Sequence, residues 1–277
     1  MIITADDFGL SDPVNAAIEE AHRRGILSAT SLMVGGAAAA DAIARARRLP
    51  NLRVGLHIVL TDGKPISASA DVSGLVARNG EFRNDLPLYG AQISFDSSVK
   101  RQIEREVAAQ FEAYRATGLP LDHVDGHRHF QLHPVIAGAV IAIGRRYGMR
   151  ALRVPFEPWR TIAAIEPGMQ RRLGRIVAPW AAWLRRRVRA AGLVTADAVF
   201  GLAWSGAMTK ARVSALLRRL PPGVVEIYLH PGTQNSFAGA APSYRYTDEL
   251  AALCDPDCIA AVRQSGYALG GYSDVQA

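Results

Sequence analysis

Asp6 and Asp7 stand side by side at the end of the apolar run Met1–Ala5, and four more polar clusters end short apolar runs further along the chain. These are Gly55-Leu56-His57, the stretch from His123 through Asp125, His127 and His129, Arg153-Val154-Pro155, and Glu226 through Tyr228 to His230-Pro231-Gly232. Five of the seven histidines lie in these clusters; His22 and His133 fall in helical patterns and offer no chemistry. One carboxylate and two imidazoles brought together from separate strand ends make a metal site with positions left open for water and substrate. A divalent ion there lowers the pKa of water toward ~7 and polarises a carbonyl, and hydrolysis then needs a base for the water and an acid for the leaving group. Asp6 and Asp7 are suited to divide the roles of ligand and base. Consecutive strand residues point to opposite faces, so the backbone must bend for both to reach one site, and Gly9 is expected to allow it. His230 is the expected acid, with Arg153 holding the base ionised and oriented. Each cluster taken singly has a blander reading, a helix cap for the Asp pair or a hydrogen-bonded core residue for a strand histidine. Agreement among separate strand ends is what favours a site.

The elements that must position these residues alternate. Short apolar runs predict strands over Met1–Ala5, Ala29–Val34, Arg53–Leu60, Leu121–Asp125, Ala151–Val154, Ala198–Leu202 and Val224–Leu229. Helical patterns fall between them: Ser11 to Gly25 with Pro13 in the first turn, Ala37–Arg48, Val99–Thr117, Pro134–Tyr147 and Thr209–Leu220, then a late helix–strand pair ending near Tyr272. Residues 61–96 read as a long loop. Strand–helix alternation without hairpins implies parallel strands with helices outside, and seven or so such units suit an α/β barrel better than an open sheet, while periodicity does not decide whether the barrel closes. In such a barrel the chemistry gathers at the C-terminal ends of the strands, where the clusters fall.

The chain has 277 residues, of which 49% are hydrophobic and 21% charged, which excludes disorder and allows a real core. The longest apolar stretch, Ile176–Leu184, is far shorter than the ~20 residues of a membrane span, and the first residues show no signal-peptide pattern. Cys254 and Cys258, four apart, read as buried residues of one helix face. A cytoplasmic protein of one domain, 1–277, is expected. The net charge of +7 is concentrated: residues 145–190 carry twelve arginines against Glu157 and Glu166, so the remainder is slightly acidic. That argues against nucleic-acid binding by the whole chain and for one anionic contact surface within a basic helical insert at about 156–195. There Trp180, Trp183, Leu184 and Val188 recur at helical spacing beside Arg185, Arg186 and Arg189, a pattern that suits either peripheral docking on an anionic membrane or an amphipathic helix packed on the barrel.

The motifs Thr4-Ala5-Asp6-Asp7-Phe8-Gly9, Gly55-Leu56-His57, His123-Val124-Asp125-Gly126-His127 and His230-Pro231-Gly232 resemble the YdjC/ChbG family of carbohydrate deacetylases, in the family's order along nearly the whole chain. Segments 31–35, 110–123 and 200–209 look like its hopanoid-biosynthesis-associated branch, HpnK. The resemblance implies a distorted (β/α) TIM-like barrel; a metal, magnesium or zinc, held by Asp7, His57 and His127; Asp6 as base and His230 as acid. It implies removal of an N-acetyl group from an amino sugar, on a hopanoid lipid at the inner membrane surface, and leaves room for a homodimer. Soluble chitooligosaccharides are the alternative substrate, and a silent sugar- or lipid-binding barrel the alternative class. Asp125 and His129 are the candidates for substrate contact. The family's histidine run is interrupted here by Gly126, Arg128 and Gln131, which bears on the substrate pocket rather than on the metal.

Overall fold

The structure, a computed structural model, describes residues 1–168 and 171–275, with the backbone alone for 171–176. In chain order the elements are β1 (Ile2–Phe8), α1 (Asp12–Arg24), β2 (Ala29–Leu32), α2 (Ala39–Ala46), β3 (Arg53–Ile58), α3 (Leu86–Phe95), α4 (Ser97–Ala116), β4 (Val124–Gly126), α5 (Pro134–Arg146), α6 (Trp159–Ile165), α7 (Arg171–Ala190), β5 (Ala198–Phe200), α8 (Lys210–Leu217), β6 (Val225–Leu229), α9 (Tyr246–Cys254) and α10 (Pro256–Gln264). All six strands pair in parallel, in the order β4-β3-β2-β1-β6-β5. They are buried on both faces, which is why they read as apolar runs rather than as alternation. The helices turn one stripe inward; α1 buries Val14, Ala17, Ile18 and Ala21 and stops at Gly25.

The sheet curls into a half-barrel, and residues 150–156 run across its open side. Val124 N–H donates to Ala151 O at 3.0 Å and Arg153 N–H to Val124 O at 2.8 Å. On the other side Leu152 N–H donates to Val194 O and Val199 N–H to Phe156 O, both at 3.0 Å. The expected strand Ala151–Val154 is therefore a segment held by single bridges, with no ladder. Pro155 and Pro158 follow at once and cannot donate, which stops a ladder from growing.

Two further expectations are corrected. Residues 61–96 are not loop throughout, since α3 occupies Leu86–Phe95; its apolar residues face both ways, Tyr89 and Ile93 inward and Leu88 and Phe95 outward, which hides the helical period. The tail is two helices, not a helix and a strand. Pro256 starts α10, Asp255 caps it by accepting from Asp257 N–H and Cys258 N–H, and the remaining chain makes one bridge, Gly270 to Ile2.

In the basic insert, α7 packs on the body through Ala181, Leu184 and Val188, all fully buried. Arg185 lies over the Phe156 ring at 4.1 Å and Arg189 pairs with Asp197 at 2.7 Å, so part of the expected cationic flank is engaged within the chain. Trp183 is half-buried under Arg187, whereas Trp180 remains 52% exposed. Among the described residues no helix is long and apolar enough to cross a membrane.

Candidate active site

β1 extends through both aspartates to Phe8, beyond the expected Ala5. Its register with β2 slips between Ala5 and Phe8, and Asp7 adopts φ +66°. The bend therefore sits on Asp7 itself, with Gly9 (φ +95°) turning the chain just after. A left-handed aspartate costs on the order of 1–3 kcal/mol and persists only where its surroundings impose it. Here buried Asn15 holds the turn, accepting from Gly9 N–H at 2.8 Å and donating to Ala38 O and Asp41 Oδ2. The non-glycine residues with positive φ among those described are Asp7, Asp62, Arg128 and His129, and all four line one cavity of about 870 Å³ at the C-terminal ends of the strands.

Three donor atoms meet on the cavity floor. Asp7 Oδ1 lies 3.0 Å from His127 Nδ1 and 3.3 Å from His57 Nε2, and the two imidazole nitrogens are 3.3 Å apart. Ligands bound at ~2.0–2.1 Å in a tetrahedron are separated by about 3.3 Å, and slightly less in an octahedron, so this near-equilateral triangle fits one divalent ion. Two imidazoles and one carboxylate are a donor set that can hold a divalent metal ion, and all three residues line the cavity. His57 is further prepared: its other nitrogen, Nδ1, lies 2.8 Å from Asp125 Oδ1, which turns the Nε2 lone pair toward the triangle. Burial alone would raise the Asp7 carboxyl, but the charge and hydrogen bonds of His127 and His57 hold it well below the ordinary range. Burial works against a charge on His57, yet Asp125 and Asp7 beside it raise its pKa well above the ordinary value. The cluster is built to hold positive charge.

Asp6 faces a different set of partners. Arg153, fully buried, places Nη1 2.8 and 2.7 Å from the two Asp6 oxygens and 2.6 Å from Asp125 Oδ2, while its Nε and Nη2 reach Glu226 Oε1 at 2.9 and 2.7 Å. Burial pushes the Asp6 carboxyl up, with Arg153 opposing and Asp125 adding to the rise. His230 Nε2 stands 4.0 Å from Asp6 Oδ2 on the far side of that carboxylate. His129 lines the cavity and bonds the Tyr228 hydroxyl at 2.8 Å; burial, helped by Arg153, pushes its pKa down to about 3, so the ring is neutral.

Asp7, His57, His127, Asp6, Arg153, His230 and His129 are thus brought together as the strand-end reading requires. Asp125 is not where that reading put it. It lies behind His57 with no exposed surface, hydrogen-bonded to His57 and ion-paired with Arg153, and cannot touch a molecule in the cavity. His123 is also absent from the site: it bonds Asp122 at 2.8 Å beneath the sheet. The interruptions of the histidine run have partners, since Arg128 Nε pairs with Asp62 at 2.7 Å across the cavity mouth and the Gln131 amide packs where a side chain on Gly126 would go.

Several residues escaped the sequence reading. Tyr244 lies 4.9 Å from the His230 ring and bonds Ser205 at 2.8 Å; a Cβ on Gly206 would sit 2.1 Å from its ring, so that glycine was the only visible trace of the contact. Buried Glu249 accepts the backbone N–H of His230 and of Met208, fixing where His230 leaves β6. Glu157 accepts from Gly201, Leu202 and Ala203 N–H at 2.9–3.0 Å, holding the loop that carries Leu202 and Ser205 over the cavity. These carboxylates bind backbone, and no side-chain pattern announces that.

The YdjC-like protein family matches residues 1–264 of this chain. The chain belongs to the YdjC-like family. The YdjC-like chain is similar to a carbohydrate deacetylase of Geobacillus stearothermophilus, 33% identical over 277 residues that cover 99% of this chain and 96% of the relative. It is 32% identical to a chitooligosaccharide deacetylase of Klebsiella pneumoniae, again over 277 residues, 99% of this chain and 98% of the relative. Among solved structures, a proposed cellobiose-phosphate cleavage protein of Enterococcus faecalis superposes with TM-score 0.76 over 98% of this chain and 96% of that one, at 23% identity. That likeness concerns the fold: the same curled parallel sheet with surrounding helices.

Proposed function

We propose that this YdjC-like chain is a metal-dependent carbohydrate deacetylase that hydrolyses the N-acetyl group of an amino sugar to acetate and a free amine. The observation that carries the reading is the donor triangle of Asp7, His57 and His127 with a second carboxylate, Asp6, beside it and an imidazole, His230, 4.0 Å beyond. The names of the relatives support the substrate class. A divalent ion, magnesium or zinc, would be held by the triangle and would supply Lewis acidity. Asp6 accepts the proton of the attacking water, with its pKa raised by burial and its orientation set by Arg153. His230 donates a proton to the departing amine nitrogen. His129, neutral and lining the cavity, contacts the sugar. The test is acetate release from a panel of N-acetylglucosaminyl oligosaccharides and glycolipids, with and without chelator. Release that stops with chelator and returns with added metal is expected; no release from any member overturns the reading. His57→Ala and His127→Ala should each lose bound metal while keeping the fold, and wild-type metal content in both would remove the triangle from the mechanism.

Within that activity we favour a lipid-linked amino sugar, such as a glycosylated hopanoid, over soluble chitooligosaccharides. The supporting observation is Trp180, 52% exposed on α7, followed later on the same helix by the exposed Arg186 and Arg187, a pattern that suits a helix resting on an anionic leaflet. Co-sedimentation with anionic and neutral vesicles at low and high salt tests this, with Trp180→Ala and Arg186→Gln as variants. Binding indifferent to lipid charge, salt and both substitutions returns α7 to a packed helix.

A further inference from the structure

We infer that Tyr272, near the C-terminal end of the described chain, is a positioning residue for the carboxylate at Asp6, acting through Glu226 and Arg153 from the opposite end of the barrel. The Tyr272 hydroxyl donates to Glu226 Oε2 at 2.5 Å, with both side chains buried. Glu226 Oε1 is already occupied, accepting from Thr4 Oγ1 at 2.7 Å and from Arg153 Nε and Nη2. Among the described residues, Tyr272 is the donor that engages Oε2. A guanidinium is planar, so fixing its Nε–Nη2 edge on Glu226 fixes the direction in which Nη1 points, and Nη1 is the atom that holds Asp6 and Asp125.

The tail is fastened so that the phenol arrives in one place. Tyr272 N–H and Ser273 N–H donate to the two oxygens of Asp122 at 3.1 and 2.8 Å, and the Ser273 hydroxyl adds a bond at 2.6 Å. Asp274 pairs with Arg53 at 2.9 Å, and the Tyr272 ring lies 5.1 Å from His123. A ring serving only as a plug under the sheet would pack as well without its oxygen. A buried hydroxyl aimed at a buried carboxylate is instead a directional constraint, and deleting it leaves Glu226 Oε2 without a donor where water does not reach. Glu226 must then turn toward another donor, and the Arg153 edge turns with it.

The test is Tyr272→Phe, with Tyr267→Phe as a control that removes a phenol bonded to the Pro221 carbonyl away from this network. Its activity arm rests on the deacetylase reading; a second arm does not. In protein labelled with ¹⁵N-arginine, the Arg153 Nε–H resonance, identified by its loss in Arg153→Lys, reports the guanidinium directly. Tyr272→Phe should lower kcat about tenfold, in the range found when outer partners of a site are removed, with KM within twofold, metal content unchanged and the Arg153 resonance shifted. Glu226→Gln should give the same pattern, and Tyr267→Phe should change none of these. An unmoved Arg153 resonance in Tyr272→Phe overturns the inference, whatever happens to thermal stability. If wild type releases no acetate, the deacetylase reading fails and the resonance alone decides the role of Tyr272.

Discussion

His57 on β3 and Asp125 on β4 are paired residues in the sheet register, and their side chains meet at 2.8 Å between Nδ1 and Oδ1. Because they share a face of the sheet, the carboxylate fixes the imidazole without help from a loop. Asp125 is held below the ordinary carboxylate range, since the charges of Arg153 and His57 outweigh its burial. It stays ionised behind a ring that faces the cavity.

Asp125→Asn keeps an oxygen for His57 but removes the charge that steadies the ring. Metal affinity measured by titration calorimetry should fall by about 10–100-fold while the fold persists. An unchanged affinity would mean that packing and the Ser31 hydroxyl, 3.1 Å from the same nitrogen, suffice to orient His57.

Asp6 and His230 should separate cleanly from the metal donors. Asp6→Asn and His230→Ala are each expected to retain the ion and lose ~10²–10⁴-fold in turnover, and the pH profile of each should lose one limb. Loss of metal from Asp6→Asn would show that the two aspartates have the opposite roles.

Gly55 is required by a neighbour rather than by its own backbone. A Cβ there would lie 2.6–2.7 Å from the ring atoms of His123, which Asp122 pins in place. Gly55→Ala should therefore cost ~1–3 kcal/mol in urea unfolding. His123→Ala in the same chain should recover part of that loss, because the two residues contact. Strict additivity of the two changes would contradict the overlap.

Glu157 supplies a pH dependence with a definite sign. Burial outweighs its three backbone donors and pushes its pKa from 4.5 up to about 7. A carboxyl that binds its proton more tightly when folded contributes stability that is complete below its ordinary value and lost as pH rises through about 7. Between pH 4.5 and 7 the melting temperature of Glu157→Gln should therefore fall less steeply than that of wild type. Parallel curves would place the Glu157 titration outside this range.

The alternation of strands and helices, the barrel class and the strand-end clusters were legible in the residues alone, because apolar runs and residue type are local properties. So was the gathering of carboxylates and imidazoles at one rim, given that parallel strands bring their C-terminal ends together; the choice of Asp7, His57 and His127 as the set came from the family resemblance. Other features depended on partners that no local pattern contains. Asp7 bends the backbone because Asn15 and the β2 register hold it there, and a string of residues shows no φ. Asp125 reads like a pocket residue, but its strand pairing puts it behind His57. Residues 151–154 carry the apolar signature of a strand, yet the prolines that follow hold them to single bridges. Arg153 joins Asp6 across 147 positions and Tyr272 joins Glu226 across 46. A buried ion network is specified by which chain segments close against one another, so residue types determined what chemistry was available and the tertiary structure alone decided which charges meet.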